Sequence, residues 1–168
     1  MIKRSICIFP FFENIDKLEL WREKYDPLYG KIAPHVTLVF PFESELSSKM
    51  IGSHVSNALK EIKPFELEFS GFSVENDSFL FIDVERGYDT IVQLHNRLYT
   101  GILKQFLRKD LPFKPHLTIG RFVSDHACEE AFQVVSEENL TFQTAVTEVV
   151  VEVIEEDESS TVECRIRL

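Results

Sequence analysis

Cysteine is scarce in this chain of 168 residues: Cys7, Cys128 and Cys164 are odd in number and far apart in sequence, which argues against a disulfide framework or a zinc site. Reduced thiols, and with them a cytoplasmic location, are the expectation. Long hydrophobic runs are also missing. No apolar stretch approaches the length of a membrane-spanning helix, and the N-terminal run ending at Phe9 is cut by Pro10 and Glu13 before it could serve as a signal peptide. No membrane partner is expected. Positive charge is in deficit, with 18 Lys and Arg against 28 Asp and Glu and a formal net charge of −10. Phosphate backbones are held mainly by Lys and Arg, so the deficit argues against a grip along a long nucleic-acid duplex. Glycine is limited to 6 residues and no Gly/Ser linker separates the halves, which predicts a single domain over 1–168.

What is plentiful is apolar residues, 44% of the chain, enough for a globular interior. Their spacing predicts a strand over Ile6–Phe12 and a helix over Glu13–Tyr25 with Ile15, Leu18, Trp21 and Tyr25 near one face. A second helix is expected over Ser47–Ile62. Phe65, Leu67 and Phe69 alternate with polar residues as a strand, Gly71 marks a bulge, and Phe79–Val84 returns as a hairpin partner across Glu75-Asn76-Asp77. A longer helix is predicted over Asp89–Arg108, with Ile91, Leu94, Leu98, Ile102 and Phe106 inward. A short helix capped by Asp125 follows, then strands over Phe142–Ile154 and Thr161–Leu168 joined by an acidic tip at Glu155–Glu158. The order strand, helix, strand, helix, hairpin is nearly repeated, so the expected class is α+β with two intertwined lobes.

One short pattern occurs twice, as Pro34-His35-Val36-Thr37-Leu38 and as Pro115-His116-Leu117-Thr118-Ile119. Each reads as a strand opened by proline, with β-branched or apolar residues following. Alternation then places His35 and Thr37 on one face, and His116 and Thr118 on one face, each opposite an apolar stripe. Two imidazoles can divide the work of breaking a phosphodiester, one removing a proton from the attacking oxygen and the other protonating the leaving oxygen. Threonine hydroxyls two residues on can bind the non-bridging oxygens. The scheme needs no metal and no cofactor.

The doubled His-apolar-Thr-apolar pattern resembles the signature of the two-histidine phosphoesterase superfamily, and within it the 2′-5′ RNA ligase and RNA cyclic phosphodiesterase group. Phe113-Lys114-Pro115-His116-Leu117-Thr118-Ile119-Gly120-Arg121 is similar to that group's second motif. The resemblance implies a bilobal, duplicated fold of two mainly antiparallel sheets facing a central cleft, with helices outside. It implies His35 and His116 as general acid and base, Thr37 and Thr118 as phosphate ligands, and a 2′,3′-cyclic phosphate or 2′-5′ linkage as substrate, with ligation as the reverse reaction.

Lys114 and Arg121 flank the second motif and are candidate phosphate contacts, since ammonium supplies a point charge and guanidinium matches phosphate geometry. Strict alternation sets Arg121 on the face opposite His116, so a direct role requires perturbed strand geometry. Phe11, Phe40, Phe42 and Phe113 are read as core before base-stacking groups, because the chain has 15 Phe. His95 lies on the Ile91/Leu98 stripe and reads as a satisfied core histidine. The expected partner is an RNA end, an oligonucleotide or a small cyclic nucleotide, and the expected state is a monomer. Two readings compete with this enzyme: a non-catalytic nucleotide or RNA-end binding module, and a phosphoesterase for another small cyclic phosphodiester. Which histidine is the base is not legible in the sequence.

Overall fold

The computed structural model describes residues 1–76 and 78–168. Its elements run β1 (Ile2–Ile8), α1 (Ile15–Tyr25), β2 (Val36–Ser44), α2 (Ser48–Ala58), β3 (Phe65–Glu75), β4 (Phe79–Arg86), α3 (Tyr88–Leu98), a 3₁₀ turn (Gly101–Phe106), β5 (His116–Arg121), α4 (Asp125–Ser136), β6 (Phe142–Val146), β7 (Glu148–Ile154) and β8 (Ser160–Arg167). Two antiparallel sheets form, ordered β2-β1-β7-β8 and β5-β4-β3-β6. The two motif strands, β2 and β5, are each the edge of a sheet, and they approach one another where the sheets meet. The expected α+β class with two antiparallel sheets and outer helices is the fold observed.

The helices intertwine the halves. Helix α1 joins two strands of the first sheet yet packs on β5 of the second, while α3 joins two strands of the second sheet and packs on β2 of the first. The backs of the motif strands enter the core: Val36, Leu38 and Ile119 are fully buried, and Leu117 nearly so. Burying each such side chain contributes about 1.5–3 kcal/mol. A slip of one residue would put the histidines in that core, so apolar burial fixes the register of the functional face.

Strand β2 carries a bulge at Leu38, because Cys7 pairs with Thr37 while Ile6 pairs with Val39. The backbone groups it frees are taken by α3 and the residue that ends it: the His95 Nδ1–H donates to the Leu38 carbonyl at 2.8 Å, and the Phe40 N–H donates to the Tyr99 hydroxyl at 2.9 Å. His95, predicted as a satisfied core histidine, is buried and stacks on Phe113 with centroids 3.6 Å apart. Gly71, at φ +71°, sits in the predicted bulge, between the pairs Phe69–Val84 and Phe72–Ile82. The hairpin turn expected across Glu75-Asn76-Asp77 includes Asp77, which lies outside the described residues.

Four expectations are corrected. The first strand starts and ends earlier than Ile6–Phe12, because Arg4 is buried in a two-pronged pair with Glu163 of β8 at 2.7 and 2.8 Å, a partner invisible to local pattern. Phe12 instead leaves the strand to pack among Phe69 and Phe142. The Asp89–Arg108 helix breaks after Leu98: Thr100 Oγ1 donates to the Arg97 carbonyl, Gly101 adopts φ +48°, and the tighter turn buries Leu103. Ser124 rather than Asp125 caps α4, its hydroxyl accepting from the Ala127 N–H at 3.2 Å. The Phe142–Ile154 strand is two strands in different sheets, β6 pairing with β3 and β7 with β1. Among the described residues, no helix is long and apolar enough to cross a membrane.

Candidate active site

Cross-strand pairing assembles one functional face on each sheet. On the second sheet, His116 lies opposite Asp83, Thr118 opposite Phe81, and Arg121 opposite Phe79. Paired residues share a face, and Phe79, Phe81 and Asp83 alternate along β4. Arg121 therefore sits on the His116 face despite strict alternation, because Ile119 is an extra residue in β5 that shifts the register between Thr118 and Gly120. The Arg121 guanidinium lies 5.3 Å from the Phe79 ring centroid and is exposed. On the first sheet, Thr37 lies opposite Cys7, and Ser5 lies opposite Glu152 of β7.

The two histidines are held alike. His35 Nδ1 is 2.9 Å from the Ala33 carbonyl and His116 Nδ1 is 2.7 Å from the Lys114 carbonyl, in each copy the residue two positions back. A carbonyl only accepts, so both rings carry their proton on Nδ1 and present Nε2 as a lone pair. Both are partly exposed, as are Thr37 and Thr118. The rings nevertheless lie in a concavity, and desolvation pushes the His35 pKa below its ordinary value, partly offset by the Ala33 hydrogen bond and the charge of Glu152. Desolvation likewise lowers His116, to about 4, with the charges of His35 and Lys114 adding to the shift. His116 feels the charge of His35, and β2 contacts β5, so the motifs converge across the cleft.

Their immediate neighbours differ. Phe81 stacks on His116 at 3.6 Å with 15° between the ring planes, whereas Phe9 stands 5.9 Å from His35 at a 44° tilt. Lys114 places its ammonium 3.0 Å from Ser73 Oγ and 3.1 Å from both Glu75 Oε1 and Asp83 Oδ1, so its three donors are engaged. Desolvation works to lower its pKa, and the hydrogen bonds to Asp83 and Glu75 outweigh it and hold the pKa above the ordinary lysine value. Among the described residues, no group of three or more His, Cys, Asp or Glu is arranged to hold a metal ion.

Sequence reading did not find Phe81, Asp83 or Glu152. The signals were present but weak: an acid ends the Phe79-Leu80-Phe81-Ile82 run, and another interrupts Val149-Val150-Val151-Glu152-Val153.

Two interlocked lobes with a His-Thr pair facing inward from each define a two-histidine phosphoesterase architecture, and the comparisons agree. The family model described as the 2′-5′ RNA ligase superfamily matches residues 9–158. The chain belongs to that superfamily, and is a phosphoesterase of the two-histidine kind. Curated relatives include two proteins bearing the name "Putative phosphoesterase". One, from Bacillus licheniformis, is 34% identical over 128 residues, covering 74% of this chain and 73% of the relative. The other, from Geobacillus sp. strain WCH70, is 29% identical over 148 residues, covering 86% and 84%. Among solved structures, Escherichia coli LigT complexed with 3′-AMP superposes with a TM-score of 0.66 at 19% identity, covering 99% of this chain and 98% of that one. Kluyveromyces marxianus Usb1 with uridine monophosphate gives 0.59 at 13% identity over the same shares of the two chains. These structures share the fold.

Proposed function

We propose that the chain hydrolyses 2′,3′-cyclic phosphate ends of RNA or of small nucleotides to 2′-phosphates without a metal, by general acid–base catalysis between His35 and His116. The observation that carries this reading is the matched tautomer: each ring donates its Nδ1 proton to the carbonyl two residues back, leaving both Nε2 atoms free. Two lone pairs facing one cleft suit a reaction that takes a proton on one side of a phosphorus and gives one on the other.

One histidine accepts a proton from water as its oxygen attacks the cyclic phosphorus. The P–O3′ bond breaks, and the other histidine, protonated beforehand, gives its proton to the departing 3′ oxygen. With both pKa values depressed, the free site is mainly neutral near pH 7. A bound phosphodiester monoanion supplies the negative charge that draws a proton onto one ring. Thr37 and Thr118 donate to the non-bridging oxygens as charge builds there. Arg121, turned onto the His116 face by the Ile119 bulge, has no hydrogen bond or ion pair among the described residues and can offer its donors to a phosphate, while Lys114 acts through its charge, its donors being engaged. The same residues with roles exchanged would join a cyclic phosphate end to a 5′ hydroxyl, and water in excess favours hydrolysis. Related folds solved with 3′-AMP and uridine monophosphate support a nucleotide-sized ligand. A cytoplasmic, monomeric enzyme with no further cofactor completes the proposal.

The test is turnover of a nucleoside 2′,3′-cyclic phosphate and of a short RNA bearing that end, in excess chelator, with the product identified by phosphorus NMR. A chelator-resistant 2′-phosphate is expected. Binding without turnover would instead favour a nucleotide-binding module, and a 3′-phosphate product would reverse the assignment of the leaving oxygen.

A further inference from the structure

Glu152 has no part in the steps above, yet it lies under the His35 wall and is 1% exposed. Both of its oxygens accept hydrogen bonds. Oε1 takes the Ser5 hydroxyl and, at 3.6 Å, the Cys7 thiol, and Oε2 takes the Ser160 hydroxyl. As a carboxylate it has no Lys or Arg partner among the described residues. Burying such a charge costs several kcal/mol that hydroxyl donors only partly offset. Valine at this position would simply continue the β7 apolar run.

Two chains of contacts lead from Glu152 to the first motif. Ser5 Oγ is 3.5 Å from Cys7 Sγ, and Cys7, directly opposite Thr37, hydrogen-bonds its side chain. On the other side, the Ser160 backbone N–H donates to the Lys31 carbonyl at 3.0 Å, pinning the loop that leads into β2. In that loop the Ile32 carbonyl accepts from Arg22 at 2.8 Å, and the Ala33 carbonyl takes the His35 Nδ1 proton. One carboxylate thus ties β1, β7 and β8 together beneath both functional groups of this wall.

We infer that Glu152 is a positioning residue for the His35–Thr37 half of the site, holding the Thr37 hydroxyl and the His35-bearing loop in place and supplying a negative charge that His35 faces. The charged groups around His35 are Glu152 from β7, Arg22 from α1, Asp26 just after α1, and His116 across the cleft. Glu152 and Asp26 favour a proton on His35, and Arg22 and burial oppose it. The inference rests on the phosphoesterase reading for its catalytic consequence but not for its electrostatic one.

The experiment is an NMR titration of the two active-site imidazoles, free of substrate, alongside the pH dependence of kcat on a cyclic nucleotide, for the wild type and Glu152→Gln. The His35 midpoint should fall by about one pH unit in the variant while His116 moves less. The kinetic limb belonging to His35 should shift the same way, and kcat should drop about tenfold at unchanged KM. Glu152→Asp, which keeps the charge, should return the midpoint toward the wild-type position. Should Glu152→Gln not fold, Ser5→Ala and Ser160→Ala each remove one link: a several-fold fall in kcat in either supports the inference, and unchanged kcat in both overturns it. An unmoved His35 midpoint with only a lower Tm would make Glu152 merely structural. Failure of the phosphoesterase reading would show separately, as a wild type that titrates but does not turn over.

Discussion

The wall that carries His35 and the wall that carries His116 begin from the same Pro-His-apolar-Thr-apolar pattern, hold their histidines through the same backbone contact, and differ in what stands behind them. Behind His116, Phe81 stacks closely and a Lys114 ammonium is balanced by Asp83 and Glu75. Behind His35, the aromatic contact is looser and a buried carboxylate is satisfied by hydroxyls and a thiol. The pattern therefore specifies the geometry that acid–base chemistry needs, namely side-chain direction and tautomer, while the neighbouring strands set the charge each imidazole feels. Two equivalent rings would make a symmetric site. Here both rings are made harder to protonate, but through different neighbours.

The largest effect that could break this comparison is loss of either ring. His35→Ala and His116→Ala should each lower kcat by about 10²–10⁴-fold, measured in the cyclic phosphate assay, with near-UV circular dichroism unchanged. A large loss in only one of them would mean that the walls are not partners. Next, Thr37→Ala and Thr118→Ala should each reduce kcat by about 10²–10³-fold, the cost of removing a donor to developing charge. A rise in KM alone would restrict the hydroxyls to ground-state binding.

Phe81→Leu sharpens the contrast with a smaller effect. Loosening the stack readmits water, so the His116 midpoint in an NMR titration should rise from about 4 toward the ordinary 6.5 while His35 stays in place. Equal movement of both would show that the aromatic contact does not act on His116 in particular. The smallest effect is on stability. His116 is hard to protonate in the folded protein and ordinary in the unfolded chain, so between about 4 and 6.5 the unfolded state binds more protons. Stability contributed by this group is intact above pH 6.5 and declines as the pH falls toward 4. A Tm series over that window should be steeper for the wild type than for His116→Gln, and identical slopes would remove burial as the cause.

Much of this was legible in the chain. The inward stripe Ile91, Leu94 and Leu98, the Gly71 bulge and the two His-Thr faces follow from spacing, because periods of 3.6 and 2 are local properties. Register and long-range pairing are not local. No window of sequence shows that Ile119 is an extra residue bringing Arg121 onto the His116 face, that Glu163 neutralises Arg4, or that Phe142–Ile154 changes sheets at Thr147. Lys114 was readable as a cation beside the motif, but its three acceptors come from β3 and β4 and only folding reveals them. Asp83 and Glu152 stayed hidden for the same reason: each matters through the strand beside it.

The central claim is that two histidines on facing walls act as one acid–base pair. The pH–rate profile of kcat/KM for a nucleoside 2′,3′-cyclic phosphate in excess chelator, run on the wild type and on each single histidine variant, tests it most directly. The account predicts a bell for the wild type and a near-complete loss of rate in both variants at every pH. A variant keeping more than about a tenth of wild-type activity, or a wild-type profile with a single limb, would contradict it.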